Sequence, residues 1–436
     1  MCGIFGLIGT GAVDRNELET LVQHARQRGR DSSGLMYCEN ERYVANRADY
    51  DVFRLLKKVR PFSSKLVLGH SRLITNGLAD NQPVVRDGIC VFHNGIIVND
   101  AEIWKQITTV RNFQIDSEVI AGIAEEHLAQ GHDLDSLPSR VLSLCEGVVA
   151  CALVLPRLGK LVLFSNNGSL YAGKSEKGFY FSSEKYPLTQ VGCTEVQQLR
   201  GSDTLIVDIP VSMERVQVSD DNVRKENLIP QLGQTKAEED LQVHHIPELK
   251  RCTCCILPET MPFISFDEKG VCNYCRNYKP RNRPRPKEEL FKLVEPYRRK
   301  EGSDCIVPFS GGRDSCYGLH LIIHELKMKP VTYTYDWGMV TDLGRRNISR
   351  MCAKLGVENI IVADDITKKR EYIAMNLRAW LKAPHLGMIS ILTAGDKHFF
   401  RHVETIKKQT GISLNLWGVN PLEVTHFKSG FLVVPP

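Results

Sequence analysis

The stretch Asp304–Lys327, DCIVPFSGGRDSCYGLHLIIHELK, decides how the C-terminal half is read. CIVPF is a short apolar run suited to a buried strand. Ser310, Gly311 and Gly312 interrupt it, and beyond Ser315 the apolar residues return at helical spacing. The alternation continues with PVTYTYD (330–336) as strand, LGRRNISRMCAKLG (343–356) as helix, ENIIVAD (358–364) as strand and KKREYIAMNLRAWLK (368–382) as helix. LNLWGVN (414–420) reads as one more strand. This βαβαβα order predicts a parallel, doubly wound α/β domain over residues 304–436. Its first turn has the makings of a phosphate loop. Two glycines let the backbone wrap an anion, the following helix adds partial positive charge, and the Ser310 and Ser315 hydroxyls can donate to phosphate oxygens. The spacing is not that of a Walker loop.

Upstream, RCTCCILPETMPFISFDEKGVCNYC (251–275) holds two Cys-x2-Cys pairs, Cys252/Cys255 and Cys272/Cys275, sixteen residues apart. That spacing fits a two-knuckle zinc site. Two thiolates from each tight turn can meet on one tetrahedral ion, and four protein ligands close it, so the metal is expected to be structural. Gly270 sits where the second knuckle must turn, and Cys254 has no partner at the right spacing. Residues 277–303 form a basic linker broken by Pro280, Pro284 and Pro286, then a helix, KEELFKLVEPYRRK (287–300).

Residues 2–210 have a different texture, with many short apolar or alternating runs and few helices. The helices are expected at about 15–28 and 117–130, the second capped by Asp116. An α+β layered sandwich is predicted there, with 211–250 as a polar connector and 251–276 as the zinc module. Cys2 follows the initiator Met. Removal of Met1 would leave a thiol beside an α-amine that titrates near pH 8, an internal general base. Four further runs accompany it: RGRDSSG (28–34), GHSRLITNG (69–77), HNGIIVN (93–99) and DSE (116–118). Asn94-Gly95 ends a strand where an amide side chain and a backbone N–H can converge on an oxyanion.

Composition bounds the rest. Of 436 residues, 42% are hydrophobic and 25% charged, ordinary values for a globular protein. A formal charge of +5 is too small to argue for nucleic acid as the partner. No run is long and apolar enough for a membrane span, and the N-terminus does not read as a signal peptide. A cytoplasmic protein is expected, in which the 14 Cys stay reduced and clustered ones serve as ligands or catalysts.

The N-terminal motifs, CGIFG, RGRDSSG, GHSRLITNG, HNGIIVN, DSE and SSE (182–184), together resemble the glutaminase domain of class II (N-terminal nucleophile) glutamine amidotransferases, whose fold has αββα layers. RGRDSSG and HNGIIVN look more like the sugar-phosphate aminotransferring members. The resemblance implies Cys2 as nucleophile and Asn94 with the Gly95 N–H as oxyanion hole. It also implies L-glutamine held by Arg72, Thr75 and Asp116, with Arg28 at the pocket. The SGGRDS loop resembles that of ATP pyrophosphatases. That implies ATP and pyrophosphate held by Ser310, Gly311, Gly312 and Ser315, Mg2+ on Asp314, and adenine contacts at Tyr335 and Asp336. A glutaminase joined to such a domain has the architecture of asparagine synthetase. The zinc knuckle with P-x-T-x-P-x-I-x-F-D, together with TDLGRRN and LNLWGVNP, resembles the bacterial N-acetyl sugar amidotransferases of surface-polysaccharide synthesis. These activate an acetamido oxygen with ATP and form an amidine. The expected activity is therefore glutamine-dependent, ATP-consuming amidotransfer to an N-acetyl sugar. The alternatives are amidation of a carboxylate, as in asparagine synthetase, and tRNA modification. The segment after the loop is short for that family's synthetase half. The acceptor site is then minimal, the sequence is truncated, or a second copy or a partner chain completes it.

Overall fold

The computed structural model describes residues 2–75, 80–221, 248–279, 284–338, 340–363, 365–384 and 397–419. Most of the expected connector (222–247) and two stretches of the last domain (385–396 and 420–436) lie outside them.

The chain divides into two compact units: Met1–Leu228 with Tyr297–Asp365 and Phe400–Gly418, and Ile229–Pro296 with Ile366–Phe399 and Val419–Pro436. The glutaminase-like segment and the strands after Asp304 thus belong to one unit.

Among the described residues of the first unit, thirteen strands build two sheets: β1 (Gly3–Gly9), β2 (Ser32–Glu39), β3 (Arg42–Ala48), β4 (Leu66–Arg72), β5 (Val84–Arg86), β6 (Ile89–Ile97), β7 (Gly147–Leu155), β8 (Lys160–Ser165), β9 (Tyr171–Ser175), β10 (Gly178–Ser182), β11 (Glu195–Gln198), β12 (Thr204–Asp208) and β13 (Gln217–Asp221). One sheet runs β11-β9-β10-β1-β4-β2-β3-β13 and the other β12-β8-β7-β6-β5. Helices α1 (Arg15–Arg26), α2 (Val52–Val59), α3 (Asp100–Ile103), α4 (Glu118–Ala129), α5 (Leu137–Leu144) and α6 (Lys185–Gln190) connect them. Helices α1, α2 and α6 cover the outer face of the first sheet, and α4 and α5 that of the second. Three apolar clusters fill the gaps. Leu18, Leu21 and Val22 of α1 meet Phe5 and Leu7. Ile4, Leu68, Phe92, Leu163 and Phe181 lie between the sheets. Ile120 and Ile123 of α4 meet Val149 and Leu153. The result is the predicted αββα sandwich. Central strands β6 and β7 are buried along their whole length; β7, GVVACALVL, reads accordingly as a continuous apolar run, whereas β6 carries His93, Asn94 and Gly95 within it. Each fully buried Leu or Phe in these layers contributes about 1.5–3 kcal/mol.

Local signals set the helix starts. Asp14 caps α1 by accepting from the N–H groups of Asn16 and Glu17, and Asp51 caps α2 in the same way. Helix α4 departs from expectation. Ser117, not Asp116, stands at its start, with no side-chain capping bond. The connector departs too: residues 217–221 form β13, which pairs parallel to β3 at the edge of the first sheet. Arg47 grips Asp220 through two bonds of 2.6 and 2.7 Å, and Tyr50 and Lys58 both bond Asp221.

The predicted α/β alternation is present. β14 (Cys305–Pro308), β15 (Pro330–Asp336) and β16 (Asn359–Ala363) form a parallel sheet, joined through α9 (Arg313–His324) and α10 (Asp342–Lys354). LNLWGVN supplies less than a strand, a single parallel bridge between Asn415 and Ile306. The Ile306 N–H and C=O bond Leu414 and Leu416, each at 2.9 Å. β14 therefore has neighbours on both sides, and the chain order reverses across it. Open α/β sheets bind ligands at the C-terminal end of such a point, and the Ser310–Ser315 turn lies there.

This sheet is welded to the sandwich. Tyr171 Oη donates to Glu358 at 2.5 Å and Gln198 Nε2 at 3.2 Å, Asn167 Nδ2 donates to the Val357 carbonyl at 3.1 Å, and the Ala363 N–H to Gln27 at 3.1 Å. Glu358 is buried.

In the second unit, the Cys-rich segment folds around Cys252, Met261, Cys272 and Tyr274, with α7 (Asn273–Arg276) following the second knuckle. The expected helix after the prolines is present but shorter than 287–300: α8 runs Lys287–Val294, and α11 (Ile366–Lys382) is the longest described helix. The remaining helix, α12 (Lys397–Thr410), leads back to the first unit.

Candidate active site

Cys2 sits at the head of β1, 5% exposed. Its backbone nitrogen donates to Asn94 Oδ1 at 3.0 Å, and its thiol faces the Leu73 carbonyl at 3.9 Å. β1 pairs with β4, so the end of β4 delivers Arg72 beside it. Asn94 comes from β6 in the facing sheet, and its Nδ2 donates to Ser183 Oγ at 3.3 Å. Ser183 also receives the Ile4 N–H at 3.0 Å, so one hydroxyl ties the nucleophile strand to the amide. Gly95 follows where nothing larger fits: a Cβ there would lie 1.8 Å from the Val148 carbonyl oxygen.

Arg72 is fully buried, and it bonds the Asp80 carbonyl and, at 3.5 Å, Asn81 Oδ1. Burial pulls its pKa down, while Cys2, Asp116, Asp80 and Asp31 hold it up. Burial pushes the Cys2 thiol up, against the pull of the chain's terminal amine and Arg72. The carboxylate of Asp116 is not a helix cap. It accepts the Ile97 N–H at 2.8 Å and Ser117 Oγ at 3.3 Å, which points it into the site. Asp31 accepts the Ile74 N–H at 2.8 Å and so shapes the turn after β4. Burial raises the Asp31 pKa, and Asp336 at the end of β15 raises it further. The sandwich site and the parallel sheet therefore share one electrostatic neighbourhood. Thr75 is half-buried at the edge of the described segment.

Cys2, Arg72, Asn94, Gly95 and Asp116 are brought together as expected, and Arg28 is not. Its guanidinium donates to the Asn359 carbonyl at 2.7 Å and the Ser183 carbonyl at 3.3 Å, and pairs with Glu184 at 3.5 Å. These partners line the seam with β16, which draws Arg28 away from a substrate role. Ser183 was missed as a site residue; SSE carried its only signal.

At the second site, Gly311 has φ +74 and Gly312 caps α9. Ser310 Oγ lies 3.1 Å from Ser315 Oγ and accepts the Gly312 N–H at 3.4 Å. Asp314 is exposed on the first turn of α9. Asp336 departs from its expected adenine role. Its carboxylate pairs with Arg345 at 3.0 Å and accepts the Gly338 N–H at 2.9 Å. The ring of Tyr335 stacks on His402 at 5.6 Å.

In the second unit the sulfurs of Cys252, Cys255, Cys272 and Cys275 lie within 4.8 Å of one another, with separations of 3.9 Å for Cys252–Cys275 and 3.6 Å for Cys255–Cys272. Four thiolates at 2.3 Å from a tetrahedral ion stand about 3.8 Å apart, so the set could hold one metal ion. Burial disfavours the Cys252 thiolate, but the N–H groups of Cys255, Cys272 and Cys254 outweigh it and bring this thiol down to about 6. Gly270 adopts φ +74 at the expected turn, and Cys254 is exposed outside the cluster.

The family described as glutamine amidotransferase domain matches residues 70–190. Glutamine--fructose-6-phosphate aminotransferase [isomerizing] of Mesorhizobium japonicum is 27% identical over 197 residues, 43% of this chain and 32% of that protein. The protein of the same name from Helicobacter pylori is 30% identical over 193 residues, 42% of this chain and 32% of the relative. The chain thus spans about a third of the length of the curated relatives it matches. Among solved structures, glutamine phosphoribosylpyrophosphate amidotransferase from B. subtilis is 20% identical with a TM-score of 0.40, covering 49% of this chain and 50% of that one. A glutamine aminotransferase class-II domain protein from Silicibacter pomeroyi is 17% identical with a TM-score of 0.32, covering 48% and 95%. The layered architecture rests on the strands and helices above, not on these two likenesses. No described helix is long and apolar enough to cross a membrane. With the Cys2–Arg72–Asn94 constellation seated in an αββα sandwich, the N-terminal part of this chain is a class II glutamine amidotransferase domain.

Proposed function

We propose that the chain is a glutamine-dependent amidotransferase that consumes ATP to AMP and pyrophosphate and passes ammonia to an N-acetyl sugar or related surface-polysaccharide precursor in the cytoplasm. The carrying observation is the buried Cys2 thiol, grouped with Arg72, Asn94 and Asp116 in the same compact unit as the strand–glycine loop–helix at the end of β14.

Removal of Met1 makes the Cys2 nitrogen a free amine, 3.0 Å from Asn94 Oδ1. Because burial holds the thiol protonated, this amine takes its proton as sulfur attacks the glutamine side-chain carbonyl. An Asn amide has two N–H donors. Ser183 takes one, and the other joins the Gly95 N–H on the tetrahedral oxyanion. Arg72 meets the glutamine α-carboxylate as a fork, Asp116 meets the α-ammonium, and Thr75 adds a hydrogen bond. The proton passes from the amine to the leaving ammonia, and water then hydrolyses the thioester to glutamate.

Ser310, Gly311, Gly312 and Ser315 would hold the phosphates of ATP, with Mg2+ on Asp314. ATP supplies the leaving group that lets ammonia displace AMP from the acceptor carbon. Zn2+ on Cys252, Cys255, Cys272 and Cys275 would be structural. A sugar acceptor is supported by the zinc-knuckle motif and by the curated relatives, whose name pairs glutamine with fructose 6-phosphate. The test is mass spectrometry of an acceptor mixture with amide-labelled glutamine and ATP. The expected product is an N-acetyl sugar carrying one labelled nitrogen, with AMP released. Labelled aspartate-derived amide instead, or ADP, would refute the acceptor or the ATP chemistry respectively.

A further inference from the structure

Ser349 stands in the interior of α10 with no exposure. A serine at such a position usually faces solvent or bonds back to its own helix. This one does neither. Its hydroxyl accepts the Val148 N–H at 2.7 Å and donates to the Ile96 carbonyl at 2.8 Å. Ile96 and Val148 are register partners of β6 and β7, so the hydroxyl straddles one rung of the glutaminase sheet, next to the Asn94-Gly95 pair. Gly147 makes room for it. A Cβ there would lie 2.2 Å from the Ile96 oxygen and 2.9 Å from Ser349 Oγ. One turn further up α10, Arg346 Nη1 donates to the Val98 carbonyl at 3.1 Å.

The opposite side of the same helix supports the glycine loop. A Cβ on Gly311 would come within 2.8 Å of Ile348 Cγ1 and 2.9 Å of the Gly344 carbonyl oxygen. The loop backbone therefore rests on α10 with no slack. Three packed links run from the loop (Gly311) through the helix (Gly344, Ile348, Ser349) to the strand that carries the oxyanion donors. Close-packed interiors pass such displacements on rather than absorbing them.

We infer that Ser349 is a positioning residue that couples occupancy of the Ser310–Ser315 loop to the oxyanion strand of the glutaminase. An anion drawing in the loop backbone shifts α10, and the Ser349 hydroxyl transmits the shift through the Ile96 carbonyl to the Ile96–Ile97 peptide, one residue beyond Gly95. Glutamine hydrolysis then rises when nucleotide is bound. This rests on the reading of the loop as a nucleotide site and of Gly95 as an oxyanion donor. Couplings of this type span about 5–150-fold. Because the oxyanion forms only on the way to the tetrahedral intermediate, the effect belongs to kcat, with the glutamine KM unmoved.

The experiment measures glutamate release by the full chain, without acceptor, with and without the α,β-methylene analogue of ATP plus MgCl2. Binding of the analogue is followed separately by calorimetry. Expected is at least a fivefold rise in wild-type kcat, its loss in Ser349→Ala at undiminished analogue binding, and its recovery in Ser349→Thr, which keeps the hydroxyl. Ile348→Ala, which loosens the helix beneath the loop but leaves the Ser349 bonds intact, should also lower the ratio, and it decides the matter should Ser349→Ala not fold. A full nucleotide response in Ser349→Ala or Ile348→Ala overturns the coupling alone, as does analogue binding to wild type with no rise in kcat. Failure of wild type to bind the analogue overturns the nucleotide reading and the coupling with it.

Discussion

Glu358 lies at the seam between sandwich and parallel sheet, and burial, only partly offset by the Tyr171 hydrogen bond, raises its pKa from 4.5 to about 7. A displacement of that size is worth about 3 kcal/mol. The direction follows from proton counting. Between pH 4.5 and 7 the folded chain keeps a proton that the unfolded chain has released, so stability falls as pH rises through that window. The stabilising contribution is complete below pH 4.5 and gone above pH 7. Glu358→Gln supplies an uncharged side chain of the same shape that can still accept from Tyr171 Oη. It should match wild type near pH 5 and exceed it at pH 8 by up to about 3 kcal/mol, a melting shift of several degrees. The wall of a crevice of about 630 Å3, shared with Glu184, Gln198 and Arg299, gives protons access to the site. The assay is thermal and urea unfolding of both proteins from pH 5 to 9. If Glu358→Gln is less stable than wild type at pH 8 by as much as at pH 5, Glu358 is an ionised partner in the fold and the reasoning fails.

Other expectations concern the chemistry. Cys2→Ala should abolish glutamine hydrolysis and spare ammonia-dependent synthesis; residual glutaminase above background would refute its role. Asn94→Ala should lower glutaminase kcat about 10²–10³-fold, and a loss confined to KM would place the residue in binding instead. Asp314→Asn should stop formation of AMP and pyrophosphate while glutamate release continues. Cys275→Ser should cost one equivalent of bound zinc by plasma emission analysis and expose the 251–278 segment to protease; intact zinc content in the variant would remove this thiol from the site.

The strand, loop and helix around Ser310 were legible because each announces itself locally, by apolar periodicity and by glycine. The four-cysteine cluster was legible from spacing alone. Cys2, Arg72 and Asn94 were legible only as an ordered set of motifs, since they come from β1, β4 and β6 and no local pattern says these strands meet. What escaped was decided at long range. Asp116 has the composition of a cap, but the Ile97 N–H across the site takes its carboxylate. Arg28 sits in a pocket motif, yet the carbonyls of Ser183 and Asn359 and the Glu184 carboxylate claim its guanidinium. Asp336 ends a strand where a ligand would be expected and is occupied by Arg345. Residues 414–416 have strand composition but bridge only one residue, Ile306. Ser349 carried no signal beyond being a small polar residue inside a helix.

The edge strand β13 matters for anyone dissecting this chain. Its sequence, QVSDD, is polar enough to pass for a linker, and a boundary at residue 210 looks safe by composition. Yet β13 covers the backbone of β3 from Val44 to Ala48 and brings the carboxylates that neutralise Arg47 and Lys58. A fragment ending at 210 would present that edge as an unpaired row of amide and carbonyl groups flanked by unmatched cations. Such an edge invites other chains to pair with it. Aggregation of the excised fragment would therefore report on the missing five-residue strand, not on the soundness of the glutaminase fold.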